Sequence, residues 1–230
     1  MSPSRKGIAL LTLVAAIGAG CDTSALKEAE AEAAYEVSGT VTAVDVAGRS
    51  GSVEVVAVDG PLRVRERHVY TSVPPLTSHR VEGGTLHLLD RGCGKQADAA
   101  GPCATHYRVE VPRAVAVTVK VGTAPVTVTG VTGALDLTTE VGAINGSDLA
   151  GATKATTSVG DVELRYAAPP STVDVTNDVG ATRLFLPAAG RYRFQTQTSA
   201  SAVVDLPSRP DAPNAVTVRS STGEVTIGPA

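Results

Sequence analysis

Apolar and polar residues alternate in short triplets along most of this chain, and the triplets recur in pairs about every 20 residues. In each pair, apolar or small side chains stand seven and five residues before a Gly, and two and four residues after it. Residues 135–146 form one such unit, with Gly142 at the turn. The same frame fits, with Ala200 more loosely than the others, a series of turn residues: Gly51, Ala124, Gly160, Gly180, Ala200 and Gly223. From Ala124 onward these turn residues, with Gly142 included, are 18, 18, 20, 20 and 23 residues apart; Gly122 would serve as well as Ala124.

This pattern predicts an all-β fold built from stacked coils. Alternation places every second side chain on one face of a strand, so two short strands joined by a turn can share one interior. A turn that needs positive φ or a close backbone approach favours Gly. Neighbouring coils about 4.8 Å apart then cover one another's apolar faces. We therefore predict a single-domain parallel β-solenoid of short coils, with an antiparallel sandwich or barrel as the alternative.

Composition agrees with a narrow interior. The chain has no Trp, one Met and two Phe among its 230 residues, while small and β-branched side chains are abundant. Large rings would not fit between closely facing short strands, whereas Val and Thr stack in similar layers.

The repeat loses its phase between Gly51 and Ala124. Three segments there, residues 62–65, 85–89 and 107–111, still alternate as strands do. The pattern does not fix how residues 60–112 are arranged, so we describe this part only as an irregular stretch interrupting the solenoid.

The irregular stretch contains Cys93 and Cys103, separated by nine residues. In a secreted protein, two such cysteines predict a disulfide that staples the loop. The alternative is a zinc site that also uses His87 and His106, since two Cys and two His can bind zinc. Their spacing matches no zinc-finger pattern, so the disulfide is the preferred interpretation and no metal site is predicted.

The N-terminus has the features of a secretory signal. Arg5 and Lys6 precede a mostly apolar stretch over residues 7–20, which is shorter than the roughly 20 residues that span a bilayer. The run Ile17-Gly18-Ala19-Gly20-Cys21 resembles a bacterial lipobox, although the lipobox usually has an aliphatic residue where Gly18 stands. The resemblance implies acyl chains on Cys21 and a protein anchored to the extracytoplasmic face of the cell membrane. An ordinary signal peptide with a free Cys21 is the alternative.

The domain organisation follows from these features. Residues 1–20 are expected to be the lipoprotein signal peptide, and residues 21–34 an Ala/Glu-rich spacer that forms a marginal helix or an extended link. Residues 35–230 are then the β-solenoid domain.

Charge and motifs say little about chemistry. The formal net charge of −3 becomes −5 without Arg5 and Lys6, and no basic patch with aromatic residues suggests nucleic acid binding. No catalytic motif or phosphate-binding glycine loop occurs, so no catalytic residue and no cofactor is predicted. The outward positions of the coils are expected to form solvated ladders of mixed charge, comprising Asp45, Thr118, Asp136, Lys154, Asp174 and Thr217 for the first strands and Glu54, Thr127, Asn145, Glu163, Arg183 and Thr226 for the second.

The recurrent units also resemble a known family. Ser-Val-Gly-Asp-Val-Glu-Leu at residues 158–164 and Ser-Thr-Gly-Glu-Val-Thr-Ile at residues 221–227 are similar to units of the bacterial putative-adhesin family, over about residues 36–227. The resemblance implies a β-solenoid at the cell surface and assigns no catalytic residue. Two functions follow: a non-catalytic lipoprotein that binds a surface protein or envelope polysaccharide, or a solenoid glycan-active enzyme. The scarcity of aromatic side chains favours the first.

Overall fold

The computed structural model describes residues 28–94 and 101–230, and within those ranges it contains strands but no helix, hence none long and apolar enough to cross a bilayer. The strands are β1 (Ala29–Glu36), β2 (Ala43–Ala57), β3 (Arg63–Tyr70), β4 (Thr77–Glu82), β5 (Thr85–Asp90), β6 (Cys103–Val111), β7 (Ala116–Thr123), β8 (Val126–Thr129), β9 (Leu135–Val141), β10 (Ile144–Leu149), β11 (Thr153–Val159), β12 (Val162–Tyr166), β13 (Thr172–Val179), β14 (Thr182–Leu186), β15 (Tyr192–Thr198), β16 (Ala202–Val204), β17 (Asn214–Thr222) and β18 (Val225–Pro229).

The strands form the predicted parallel β-solenoid. Each coil gives one strand to sheet 1 and one to sheet 2, and long β2 bends at Gly51 so that its two halves serve both sheets. Sheet 1 has the order β4-β5-β2-β7-β9-β11-β13-β17-β15. Sheet 2 has the order β1-β3-β6-β2-β8-β10-β12-β14-β18-β16. In each sheet, every pairing from β2 to the β15 or β16 end of the order is parallel, which excludes the antiparallel sandwich.

The sequence frame matches the observed registers. Val117 pairs with Leu135 and Val126 with Ile144, so corresponding positions of successive coils stack in columns. These side chains are buried in one continuous apolar core. Ala124, and not Gly122, is the turn residue of its unit. A Cβ added at Gly142, the turn residue of the next coil, would lie 2.2 Å from the carbonyl oxygen of Ala124.

Glycines at the turns are required by close packing as well as by conformation. Gly160 has φ of +149°, and a Cβ there would lie 2.1 Å from the carbonyl oxygen of Gly142 in the neighbouring coil. Gly180 stands in the same relation to Gly160, with a distance of 2.0 Å. The turns therefore stack backbone on backbone, and any side chain would push two coils apart.

A buried polar column beside these turns was not predicted. Thr139 donates to the carbonyl of Ala124 (2.8 Å), Thr157 to that of Gly142 (3.1 Å), and the Asn177 amide to that of Gly180 (3.1 Å). These side chains satisfy turn carbonyls that would otherwise be buried without a donor, which explains why polar residues occupy inward positions there.

The order of coils in space differs from their order in the chain at both ends. At one end, β2 lies between the β5/β6 layer and the β7/β8 layer. At the other, β17 and β18 insert between the β13/β14 layer and the β15/β16 layer. At the β2 end the middle layer comes first in the chain, and later strands pair on both sides of it. At the other end the chain passes over one layer, forms β15 and β16, and returns to fill the layer with β17 and β18.

The irregular stretch forms a cap of antiparallel strands on the first coil. β1 and β3 extend sheet 2, and β4 extends sheet 1. Cys93 and Cys103 are joined by the predicted disulfide, which links the end of β5 to the start of β6. The expected lipidation site Cys21 lies outside the described residues.

The spacer expected to reach residue 34 is shorter than predicted, because β1 begins at Ala29 and belongs to the cap. The sequence Ala-Glu-Ala-Glu-Ala-Ala-Tyr-Glu has the helix-forming composition of a spacer, but its period is two. Ala29, Ala31, Ala33 and Tyr35 turn inward, while the Glu side chains and Ala34 turn outward. Pairing with β3 therefore overrides the intrinsic helix propensity.

Candidate functional site

The flat outer faces of the two sheets carry the predicted charge ladders. Asp136, Lys154 and Asp174 stand side by side on β9, β11 and β13 of sheet 1. Glu163 and Arg183 are neighbours on sheet 2. These side chains lie on broad exposed surfaces and do not converge on a cleft.

The residues of the alternative zinc site are not brought together. His87 lies on the outer face of sheet 1, where Nδ1 is 3.1 Å from Asp45 Oδ2, whereas His106 lies on the outer face of sheet 2. Both cysteines are held in the disulfide. Across residues 28–94 and 101–230, no group of three or more His, Cys, Asp or Glu side chains is arranged to hold a metal ion.

A charged groove of about 460 Å³ lies on the outer face of sheet 2 at the capped end. Strands β1, β3, β6 and the second half of β2 run side by side beneath it. Its outward side chains, which we call the cap groove, are Glu32, Ala34, Ser52, Glu54, Arg65, Arg67, His106 and Arg108.

The cross-strand registers arrange these side chains in two rows. The first row runs Ala34, Arg65, Arg108, Glu54, and the second runs Glu32, Arg67, His106, Ser52. Arg65 and Arg108 are therefore directly opposite each other on antiparallel strands. Like charges in this position repel each other and destabilise the sheet, unless a nearby anion offsets the repulsion.

Most of the groove's charges already have partners. Arg108 bonds to Glu54 and lies 3.8 Å from Glu110, and these carboxylates raise the pKa of the Arg108 guanidinium. Arg67 bonds to Glu30 at 3.2 Å. Within the described part of the chain, Arg65 and Glu32 make no ion pair.

The second row contains a hydroxyl–imidazole pair. The Ser52 hydroxyl and His106 Nδ1 share a hydrogen bond of 2.8 Å. Burial and the adjacent Arg67 lower the pKa of His106, so its ring is neutral at neutral pH. Among the described residues no carboxylate bonds to the ring, so the orienting third member of a catalytic triad is missing.

A buried polar network lies directly behind the groove, on the inner side of the same strands. Glu66 accepts a hydrogen bond of 2.7 Å from the Tyr35 hydroxyl and lies 3.2 Å from His68 Nε2. Burial alone would raise the pKa of Glu66, but hydrogen bonds from His68, Tyr35 and Thr77 outweigh it and hold that pKa below its usual range. Glu66 therefore stays charged and ties β1, β3 and β4 together.

A second tyrosine lies beside the network. Tyr107 is buried, its hydroxyl has no hydrogen-bond partner in the described structure, and burial together with Glu66 and Asp90 raises its pKa. Sequence reasoning missed both the network and the groove. The sequence does show charged and inward-facing residues alternating in β1 and β3. It does not show which strands these two pair with, so the groove could not be assembled from it.

Two solved structures have a fold similar to that of this chain. A structure described as a putative cell adhesion protein from Clostridium sporogenes has a TM-score of 0.53 and 13% identity, covering 86% of this chain and 99% of that one. A putative adhesin from Bacteroides fragilis has a TM-score of 0.51 and 13% identity, covering 89% and 98%. The chain has the fold of these adhesin-like proteins. No family model matches the sequence, and no curated protein matches it either.

Proposed function

We propose that this protein is a membrane-anchored extracytoplasmic lipoprotein whose β-solenoid is a non-catalytic, adhesin-like binding module. The observation that carries the binding role is the pair of broad sheet faces, on which charged and hydroxyl side chains stand in register across successive coils. Such faces suit contact with an extended partner, either a surface protein or an envelope polysaccharide. The fold shared with adhesin-like structures supports the same role.

Anchoring through Cys21 would place the capped end next to the membrane. Strand β1 starts eight residues after Cys21, and a fully extended chain of that length spans at most about 29 Å. Because β1 is the edge strand of sheet 2 at the capped end, the cap would be the part of the domain nearest the anchor. The coil of β15 and β16 is then the end farthest along the stack from the anchor.

Cell fractionation tests the anchor. The wild-type protein is expected in the membrane fraction with acyl label, and Cys21→Ser is expected to lose both, because acyl chains supply about 0.8 kcal/mol per buried methylene. Thr23→Ser serves as the neighbouring control and should fractionate as the wild type does. A Cys21→Ser protein that still partitions with membranes would contradict the proposal.

Capture from intact envelopes tests the binding role. The anchored protein is expected to retain a surface protein or an envelope polymer that the heat-unfolded protein does not. Release of new reducing ends from an envelope polysaccharide would instead support the glycan-active alternative, and loss of that release in His106→Gln would place the activity in the cap groove.

A further inference from the structure

We propose that the cap groove binds a negatively charged sugar unit of an envelope polysaccharide, with the anionic group held by Arg65. The inference rests on the proposed binding function and names the class of polymer and the contact. It starts from a gap in the charge pattern of β1. The outward residues of that strand are Glu30, Glu32, Ala34 and Glu36, so a carboxylate is missing only at Ala34.

The missing carboxylate stands opposite the arginine that lacks a partner. On either side, Glu36 pairs with Arg63 at 3.3 Å and Glu30 with Arg67 at 3.2 Å. Arg65 instead has Ala34 on one flank and Arg108 on the other. The row therefore has one excess positive charge beside a methyl side chain, and the open space above Ala34 is where an anionic group fits.

The remaining side chains of the groove suit the hydroxyl groups of a sugar. Glu32 lies diagonally from Arg65, exposed and without an ion pair in the described ranges, and its carboxylate can accept hydrogen bonds from hydroxyls. The Ser52 and His106 pair offers a hydroxyl and a neutral imidazole. A guanidinium can hold the acid group while the surrounding acceptors bind hydroxyls, so an acidic sugar makes more contacts here than a simple anion does.

Titration calorimetry on the purified chain carrying Cys21→Ser tests the inference. The probe is an oligosaccharide of hexuronic acid, and the matched control probe is a neutral glucose oligosaccharide of the same length. The acidic probe is expected to bind and the neutral one not to bind. Arg65→Gln is expected to weaken binding at least about tenfold, since a hydrogen-bonded charge pair is lost.

Two variants separate the groove from general charge. Ala34→Glu supplies the missing carboxylate, so it is expected to neutralise Arg65 and weaken binding as Arg65→Gln does. Arg63→Gln removes one charge from the same face of the same strand, but from an existing ion pair outside the groove, and is expected to bind as the parent does. Circular dichroism checks that all three fold.

Three results would overturn the inference: no binding of the acidic probe, equal binding of the neutral probe, or binding unaffected by Arg65→Gln and Ala34→Glu. Vesicles of anionic phospholipid form a further arm, and binding to them alone would assign the groove to a lipid surface instead. Because the assay uses unanchored protein and a defined probe, its failure leaves the Cys21 fractionation and envelope-capture results intact. Conversely, failure of anchoring does not alter the calorimetric result.

Discussion

Replacing Gly160 with Ala is expected to separate two coils of the solenoid and to destabilise the fold severely. The glycine has φ of +149°, a conformation that L side chains rarely adopt, and such strain costs about 1–3 kcal/mol. The added Cβ would also lie 2.1 Å from the carbonyl oxygen and 2.5 Å from the carbonyl carbon of Gly142, both backbone atoms. Relief requires a backbone shift, and overpacking of this kind costs about another 1–3 kcal/mol.

The two contributions together predict a loss of about 4 kcal/mol, a large fraction of the roughly 5–15 kcal/mol that stabilises an ordinary domain. Urea unfolding followed by far-ultraviolet circular dichroism measures this loss, since the chain contains no Trp. Gly60→Ala is the control: a Cβ there meets nothing within 4 Å and φ is not in the left-handed region, so stability should be unchanged or rise by about 0.4–1 kcal/mol. If Gly160→Ala unfolds within about 0.5 kcal/mol of wild type, the turns are not packed backbone on backbone and the reasoning fails.

Three further predictions concern the cap. Glu66→Ala should lower the unfolding free energy by about 3 kcal/mol at neutral pH, because it leaves the half-buried Tyr35 hydroxyl and its neighbours without an acceptor. The pKa of Glu66 is lowered in the folded state, so its contribution to stability is complete above its unfolded pKa of about 4.3 and is lost as the pH falls through its folded pKa. Urea unfolding in acid should therefore show a smaller stability difference between Glu66→Ala and the wild type than at neutral pH. Cys103→Ser should cost about 2–3 kcal/mol by loop entropy, and an equal midpoint for reduced and oxidised wild-type protein would contradict this. Arg65→Gln should stabilise the free protein by about 0.2–1 kcal/mol by removing repulsion from Arg108, whereas destabilisation would show that Arg65 has a structural role.

The repeated coils could be predicted because their information is local. Val117, Val119, Val126 and Val128 fall inward on two short strands whatever their neighbours are, and a Gly or Ala at the turn marks the phase. Ala124 illustrates the limit of this rule, since only the stack shows that it, and not Gly122, faces the next turn. The disulfide could likewise be predicted, because the N-terminal pattern indicates secretion and sets Cys21 apart in a run that resembles a lipobox, which leaves Cys93 and Cys103 as one pair.

The cap groove could not be predicted, since its rows join strands that are far apart in the chain. Arg65 and Arg108 lie 43 positions apart by their numbers, and only the antiparallel register places them opposite each other. The sequence shows the alternating charges of β1, which favour a strand, but its Ala and Glu content favours a helix. Pairing with β3, which the sequence does not reveal, makes this segment a strand. The inward Thr and Asn side chains were equally hidden, because their acceptors are carbonyls of the turns.

The exchanged order of layers at the two ends has a consequence for how this chain is completed and how it can evolve. In a simple solenoid the last-synthesised coil is the outermost, so it can fray, be deleted or be duplicated without disturbing the rest. Here β17 and β18 follow β15 and β16 in the chain but occupy the layer inside them, so β15 and β16 have no sheet to join until β17 and β18 are in place. A nascent or truncated chain that stops before Asn214 would therefore leave two strands undocked rather than one coil short. Gains and losses of repeats should accordingly be confined to the middle of the stack, where chain order and spatial order agree.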